Sequence, residues 1–334
     1  MKTFILLLMF ITLSFSSSEI EEQHIYKQFE KFVNKYHKTY SSIEEYMNRY
    51  LIFRRKYINL ISNNKNTPKT WERGITKFSD LTKQEFRKLY LNLNPIMYDN
   101  LNEINYEIPT KKNDEVPDEF NWLNEIPFDY VKNQKACGSC YAFSAIGNLE
   151  ALYYLKTKKS ILLSEQMIVD CDNVDAGCNG GLMDTVFQWI KENGGIELAE
   201  DYPYTGTEGT CNSDKTKYVE DIKVTGFVKK RYINEDDMKV MLYETGPLAI
   251  ALNADLLMEY KSGIILSDVN ECDPDTINHA VVLIGYGYNK EEDLDYWVCK
   301  NSWDTDWGEN GYFRMQRGKG ACGINDYVTT AIIE

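Results

Sequence analysis

Apolar residues recur with helical spacing over residues 25–64. Ile25, Phe29, Phe32 and Tyr36 fall at i, i+4, i+7 and i+11, and a second run sets Ile43, Met47, Tyr50, Phe53, Tyr57 and Leu60 among polar neighbours. This pattern predicts two amphipathic helices, each needing a partner for its apolar face. Between residues 90 and 114 the periodicity fades. Asn, Asp, Lys and Pro accumulate there, as in an exposed linker open to proteolysis. Past the linker, residues 140–156 place Phe143, Ile146, Leu149 and Tyr153 on one helical face, and residues 164–171 and 182–192 read as shorter helices. From Ile222 onward strands dominate, over residues 248–253, 280–286, 296–300 and 312–316. Helices followed by strands predict an α+β body with two lobes.

The first residues carry a different signal. Lys2, an apolar run over residues 4–13 and small residues over 14–18 predict a signal peptide, the run being shorter than the roughly 20 residues of a membrane span. The product is therefore expected in solution on the secretory route, in a lysosome or other acidic vesicle or outside the cell, where disulfides form. The domain reading is a signal peptide over 1–18, a front segment over 19–114 and a body over 115–334. Charge divides at the same place. Residues 1–114 hold 18 Lys and Arg against 13 Asp and Glu, and residues 115–334 hold 19 against 38. An acidic body speaks against nucleic acid as partner, and the two halves should attract each other.

Candidate chemistry centres on residues 134–144, Gln-Lys-Ala-Cys-Gly-Ser-Cys-Tyr-Ala-Phe-Ser. Ser139 can cap a helix beginning at Cys140, and a thiol at a helix N-terminus faces the end that favours a thiolate. The chain has three histidines, His24, His37 and His279, and only the last lies in the body. A Cys–His pair in the body therefore uses His279, which opens a buried strand. Asn301 ends the next strand and can orient the imidazole, with Trp303 shielding their bond. The eight cysteines leave another reading open, four disulfides with Cys140 locked in one. A redox Cys137-x-x-Cys140 motif lacks a βαβ setting, and one C-x-x-C with one body histidine makes a metal site unfavourable.

These residues resemble the papain family of cysteine proteases, in its cathepsin L-like branch. The signature around Cys140, with His279 139 positions on and Asn301 161 positions on, carries the resemblance. The separation to Asn301 is long, and the acidic stretch 289–295 is expected to hold the extra residues as a surface loop. In the front segment Glu45, Arg49, Phe53, Leu60 and Asn64 match the family's inhibitory pro-segment, with Lys56 in place of Asn; Gly74, Phe78 and Asp80 match its second motif, with Thr76 in place of Asn. In the body, residues 178–183 match the substrate-cleft loop, and Asn301-Ser302-Trp303 with Trp307-Gly308 match the tryptophan segment. Tyr141, Asn278 and Asp304 depart from the usual Trp, Asp and Gly without removing a catalytic group.

The resemblance implies a papain-like two-lobe fold, with a mainly helical lobe, a β-barrel-like lobe and the active site in the cleft, preceded by a helical pro-domain. It implies a cysteine endopeptidase precursor in which Cys140 attacks, His279 exchanges the proton, Asn301 orients it, and Gln134 with the Cys140 N–H forms the oxyanion hole. The substrate contacts it implies are Gly180, Gly181, Leu182, Met183, Ala251, Asn278, Ala280, Trp303 and Tyr327. Gly180 and Gly181 should admit substrate backbone, and Tyr327 should shorten an apolar pocket that favours Leu or Val. It pairs Cys137 with Cys178, Cys171 with Cys211 and Cys272 with Cys322, leaving Cys299 as a buried thiol. Implied partners are protein and peptide substrates, the pro-segment as intramolecular inhibitor and cystatin-like inhibitors. The reading is of a monomer with no cofactor, metal, nucleic acid or membrane partner. A catalytically inactive papain-like binding protein is the alternative.

Overall fold

A computed structural model describes residues 17–63, 70–93, 111–127, 130–268 and 271–334. Residues 1–16 of the expected signal peptide, the motif residue Asn64 and linker residues 94–110 lie outside the described residues. The chain divides into two compact units, Met1–Lys65 and Asn66–Glu334. Among the described residues no helix is long and apolar enough to cross a membrane.

The first unit is a pair of helices, α1 (Ser17–Lys35) and α2 (Ile43–Asn63). Their interface is aromatic. The Phe29 ring lies 5.2 Å from Tyr46 and from Phe53 and 5.4 Å from Tyr50, and Phe32 lies 5.1 Å from Phe53. Tyr46, Tyr50, Phe53, Tyr57 and Leu60 alternate steps of four and three, a spacing that keeps one seam toward one partner. Two residues of the expected face fall off it: Ile43 is 85% exposed and Met47 45%. One position turns a helix by about 100°, so Met47 stands aside from the seam that runs through Tyr46. At the edge of the interface Tyr50 donates to Glu22 and Arg54 donates to both Glu22 oxygens, at 2.9 and 2.8 Å.

The second unit begins before the expected boundary at Asp114. Strand β1 (Trp71–Arg73) and helix α3 (Lys83–Tyr90) fold with the residues that follow. Strand β1 pairs antiparallel with β5 (Tyr260–Ile265). The Gly74 N–H donates to Glu259 O at 2.8 Å, and Thr76 Oγ1 donates to Met258 O at 2.5 Å. A capping box of Thr82 and Glu85 starts α3. Phe78 and Phe86 are fully buried against Trp303, with ring centroids 5.0 and 5.4 Å away.

Helices α4 (Cys140–Thr157), α5 (Glu165–Cys171) and α6 (Met183–Asn193) make the helical part. Helix α4 was expected to bury one face. Both polar and apolar positions from Cys140 to Ala151 are buried, because α5 and α6 pack on it together with strands of the sheet. The sheet is built from β2 (Phe120–Asn121), β3 (Val224–Arg231), β4 (Leu248–Leu252), β5, β6 (His279–Asn289), β7 (Leu294–Lys300), β8 (Tyr312–Gln316) and β9 (Tyr327–Ile333), with helix α7 (Glu235–Thr245) preceding β4. Among the described residues the strand order is β1-β5-β8-β7-β6-β4-β9-β3, with β2 on β6. In place of barrel-like closure, this path stays open, and α6 packs against the β3 end. Two apolar cores result. One gathers Trp303, Trp297, Trp307, Phe313 and the inner strands, and the other gathers α4, α5 and α6.

Of the stretch 289–295 expected as a surface loop, only residues 290–293 form a turn. The rest lengthens a hairpin, with β6 and β7 paired out to Asn289↔Leu294. Asn289 Oδ1 accepts from the Glu291 and Glu292 N–H groups to make the turn, with Asp293 at φ 54°.

Candidate active site

Cys140 is the first residue of α4, and its thiol is free and fully buried. Cys137–Cys178, Cys171–Cys211 and Cys272–Cys322 are disulfides, and Cys299 is a second free, buried thiol. The thiol therefore stays unbridged. Ser139 does not cap α4 with its side chain. Its backbone, at φ −93° and ψ 18°, is out of the extended region a cap requires, and its hydroxyl bonds Tyr204 instead.

The β6–β7 hairpin sets the second half of the site. The pairing ends at Val282 with Lys300, and the residues just past the end of β7 carry Asn301 and Trp303 to His279, the first residue of β6. His279 Nε2 lies 2.9 Å from Asn301 Oδ1, and the Trp303 ring stacks on the imidazole with centroids 4.7 Å apart. His279 Nδ1 is buried without a hydrogen-bond partner. All three side chains are buried, so the pair is sheltered from water.

Gln134 is held by its oxygen. Ser302 Oγ donates to Oε1 at 2.7 Å and Trp303 Nε1 at 3.0 Å, so the amide nitrogen must point the other way. The Gln134 N–H also donates to Ser302 O at 2.9 Å, which ties the loop before α4 to the end of the hairpin. Ser302, within the tryptophan segment, thus anchors Gln134, a role that no periodicity in the sequence marks.

Residues 90–93 lie across these groups. Tyr90 O accepts from Gln134 Nε2 at 3.0 Å, and the Leu93 N–H donates to Asn278 O at 3.1 Å. Leu93 is buried in the same apolar cluster as Leu182, Met183, Ala251, Ala280 and Tyr327. The expected pocket residues are thus gathered, with a leucine of the chain itself among them. Gly180, at φ 111°, faces this segment, since a Cβ there would meet Asn92 O at 1.7 Å. For Gly181 the crowding comes from behind, from Asp175 and Tyr141, so its small size serves the loop's interior. Tyr327 does not end in an apolar floor. Its hydroxyl donates to Asp184, whose other oxygen lies 3.3 Å from Lys229 Nζ, and all three are buried.

Cover also decides protonation. Burial pushes the Cys140 thiol up to about 12, against the pull of the Ala280, Tyr141 and Cys140 N–H groups. Burial holds His279 down to about 4, opposed by the Asn301 bond and the nearby Tyr90 backbone. Both groups are therefore neutral while covered: desolvation outweighs the helix terminus that was expected to favour a thiolate.

Ion pairs fasten the same segment. Arg73 pairs with Glu259 and Glu271, Lys77 with Asp306, and Lys83 and Arg87 with Asp255. Lys77 also donates to Trp303 O at 2.8 Å. Every cation precedes residue 94 and every anion follows residue 254, as the charge division predicts. Asp304 takes φ 65°, the left-handed conformation that glycine would adopt and Asp tolerates.

A family model described as "Papain family cysteine protease" matches residues 116–332, and one described as "Cathepsin propeptide inhibitor domain (I29)" matches residues 29–86. Cysteine proteinase 15A of Pisum sativum is 37% identical over 327 residues, covering 93% of this chain and 88% of the relative. Viral cathepsin of Epiphyas postvittana nucleopolyhedrovirus is 39% identical over 308 residues, covering 91% of each. Among solved structures, a recombinant stem bromelain precursor superposes with TM-score 0.81 at 30% identity, covering 93% of this chain and 99% of its own. A digestive procathepsin L2 proteinase from Tenebrio molitor larval midgut superposes with TM-score 0.80 at 28% identity, covering 92% and 99%.

Proposed function

The chain belongs to the papain family of cysteine proteases and carries a propeptide inhibitor domain ahead of its protease domain, and on that premise we propose that Cys140, His279, Asn301 and Gln134 form the catalytic group of an endopeptidase. One observation carries the reading: the only unbridged thiol at a helix start among the described residues meets the backbone N–H of Ala280, next in the chain to an imidazole bonded to Asn301, while Ser302 and Trp303 aim the Gln134 amide.

In the uncovered enzyme the Cys140 proton passes to His279, and the thiolate attacks the scissile carbonyl carbon. The carbonyl oxygen becomes an oxyanion held by Gln134 Nε2 and the Cys140 N–H, where Tyr90 O now occupies the amide donor. The C–N bond breaks as His279 gives its proton to the leaving amine, which leaves a thioester. Water loses a proton to His279, attacks the thioester and releases the acid and the thiol.

Substrates are proteins and peptides with an apolar residue two positions before the cut. Leu93 in the apolar cluster argues for leucine there. The Tyr327–Asp184–Lys229 group closes the pocket with side chains already committed to each other, so it offers no free carboxylate to an arginine. Residues 19–114 act as the pro-segment, preceded by a signal peptide over 1–18 and followed by the mature body over 115–334. Acid loosens the pro-segment by protonating Asp255, the carboxylate that holds Lys83 and Arg87. Such a precursor fits the secretory route with an acidic destination.

The test is to activate the precursor by acid, treat it with an epoxide or iodoacetamide, and map the adduct. Label on Cys140 with matching loss of peptidase activity is the expected result. Label elsewhere with full loss, or full label on Cys140 with activity retained, overturns the assignment.

A further inference from the structure

The diverted Ser139 hydroxyl leads to a residue outside the motif. Tyr204 lies in the segment between α6 and β3, and its hydroxyl donates to the main-chain oxygen of Gln134 at 2.7 Å. Ser139 Oγ is also 2.7 Å from that hydroxyl. The phenol has one proton, which goes to Gln134 O, so Ser139 is the donor into Tyr204. The chain of bonds runs Ser139 to Tyr204 to Gln134, across the mouth of the loop that joins the two ends of the oxyanion hole. One end supplies the Gln134 amide, and the other immediately precedes Cys140, whose N–H is the second donor.

The rest of the structure holds Tyr204 in place. Its ring meets Phe143 edge-on at 4.8 Å, and the Lys135 ammonium lies 5.9 Å over its face. The next residue is anchored by Thr205 N–H to Gln166 Oε1 at 2.8 Å and by Lys135 Nζ to Thr205 O at 3.1 Å. Burial raises the phenol above its usual range, so it stays a neutral donor wherever the enzyme works.

We propose that Tyr204 is a positioning residue for peptide hydrolysis, its hydroxyl fixing the Gln134 main chain against Ser139 so that the Gln134 amide and the Cys140 N–H converge on the developing oxyanion. The proposal rests on the catalytic assignment above. Hydrogen-bond donors aimed at charge that appears only in the transition state act on kcat more than on KM. The hydrogen bonds of this hydroxyl go to Gln134 O and Ser139 Oγ, so its loss should spare nucleophile and subsite.

The experiment compares acid-matured wild type with Tyr204→Phe, which keeps the ring against Phe143, and with Ser139→Ala, which removes only the donor into the phenol. Active sites are counted by titration with an epoxide. For Tyr204→Phe the expected result is a fall in kcat of about tenfold with KM within about twofold. A peptide aldehyde, whose thiol adduct places an oxygen in the hole, should weaken by the same factor. Alkylation of Cys140 by iodoacetamide should keep its rate and pH profile. Ser139→Ala should shift kcat and aldehyde affinity in the same sense by less. Adding Tyr204→Phe to Gln134→Ala should cost nothing further. Unchanged kcat and aldehyde affinity in Tyr204→Phe overturn the proposal, as does alkylation falling in step with kcat, which marks general loosening. A wild type that titrates at a residue other than Cys140 overturns the catalytic assignment and this inference with it.

Discussion

Replacing Asp255 by Asn in the intact precursor removes one charge from the most buried carboxylate that grips residues 70–93. Its side chain is 5% exposed, whereas those of Lys83 and Arg87 are 57% and 51%. Arg87 Nε donates to Oδ1 at 2.8 Å, its second nitrogen meets Oδ2, and Lys83 Nζ lies 3.0 Å from Oδ2. A hydrogen bond to a charged group contributes about 1.5–3 kcal/mol. Both cations are half in solvent, so we take about 1–2 kcal/mol for the carboxylate's net hold. That corresponds to about a 5- to 30-fold change in the fraction of precursor that is open. Cys140 is fully buried in the covered site, so its alkylation requires opening. At pH 7 Asp255→Asn precursor should therefore react with iodoacetamide about 5- to 30-fold faster than wild type, with both chains checked for intact length by gel. Burial raises the Asp255 carboxyl, but the Arg87 and Lys83 bonds outweigh it and hold it below its ordinary value. A depressed carboxyl contributes its full hold above the ordinary aspartate value near 3.9 and loses it as pH falls through the depressed value. The ratio between variant and wild type should thus shrink toward one below about pH 4. A ratio of one at pH 7, or one that does not change with pH, refutes the reasoning; equal alkylation of the two mature enzymes is the control.

Three further outcomes are expected. Ser302→Ala removes one of the two donors to Gln134 Oε1, and steady-state kinetics should show kcat lowered about tenfold with KM little changed. Asp175 is pushed up to about 9 by burial and then by Asp172 beside it, so it is protonated at neutral pH. A raised carboxyl contributes its stability below its unfolded value and loses it as pH rises toward 9, so Asp175→Asn should melt higher than wild type at pH 8 with the gain vanishing near pH 4; parallel melting curves refute this. A peptide library should show leucine ahead of phenylalanine two positions before the cut, and a preference for arginine there would contradict the closed Tyr327–Asp184–Lys229 group.

The local signals were in the chain. Helical spacing marked α1, α2 and α4, strand-forming runs marked β4, β6, β7 and β8, and the residues around Cys140, His279 and Asn301 identified their chemistry and family. These depend on near neighbours along the backbone, where period and turn chemistry act. Tertiary structure decided what depends on distant neighbours. It placed Tyr46 rather than Ile43 and Met47 at the helical seam, and turned the acidic stretch after β6 into a longer hairpin. It drew β1 and α3 into the unit that holds the protease domain, and left Cys140 and His279 neutral by burying them, with residues 90–93 lying over Gln134 and Asn278. It sent the Ser139 hydroxyl to Tyr204, a residue 65 positions away, and so disclosed a support for Gln134 that no spacing announces. Burial and side-chain partners arise only when separate segments meet, and for that reason they set the state of the site, while its composition is already written in the chain.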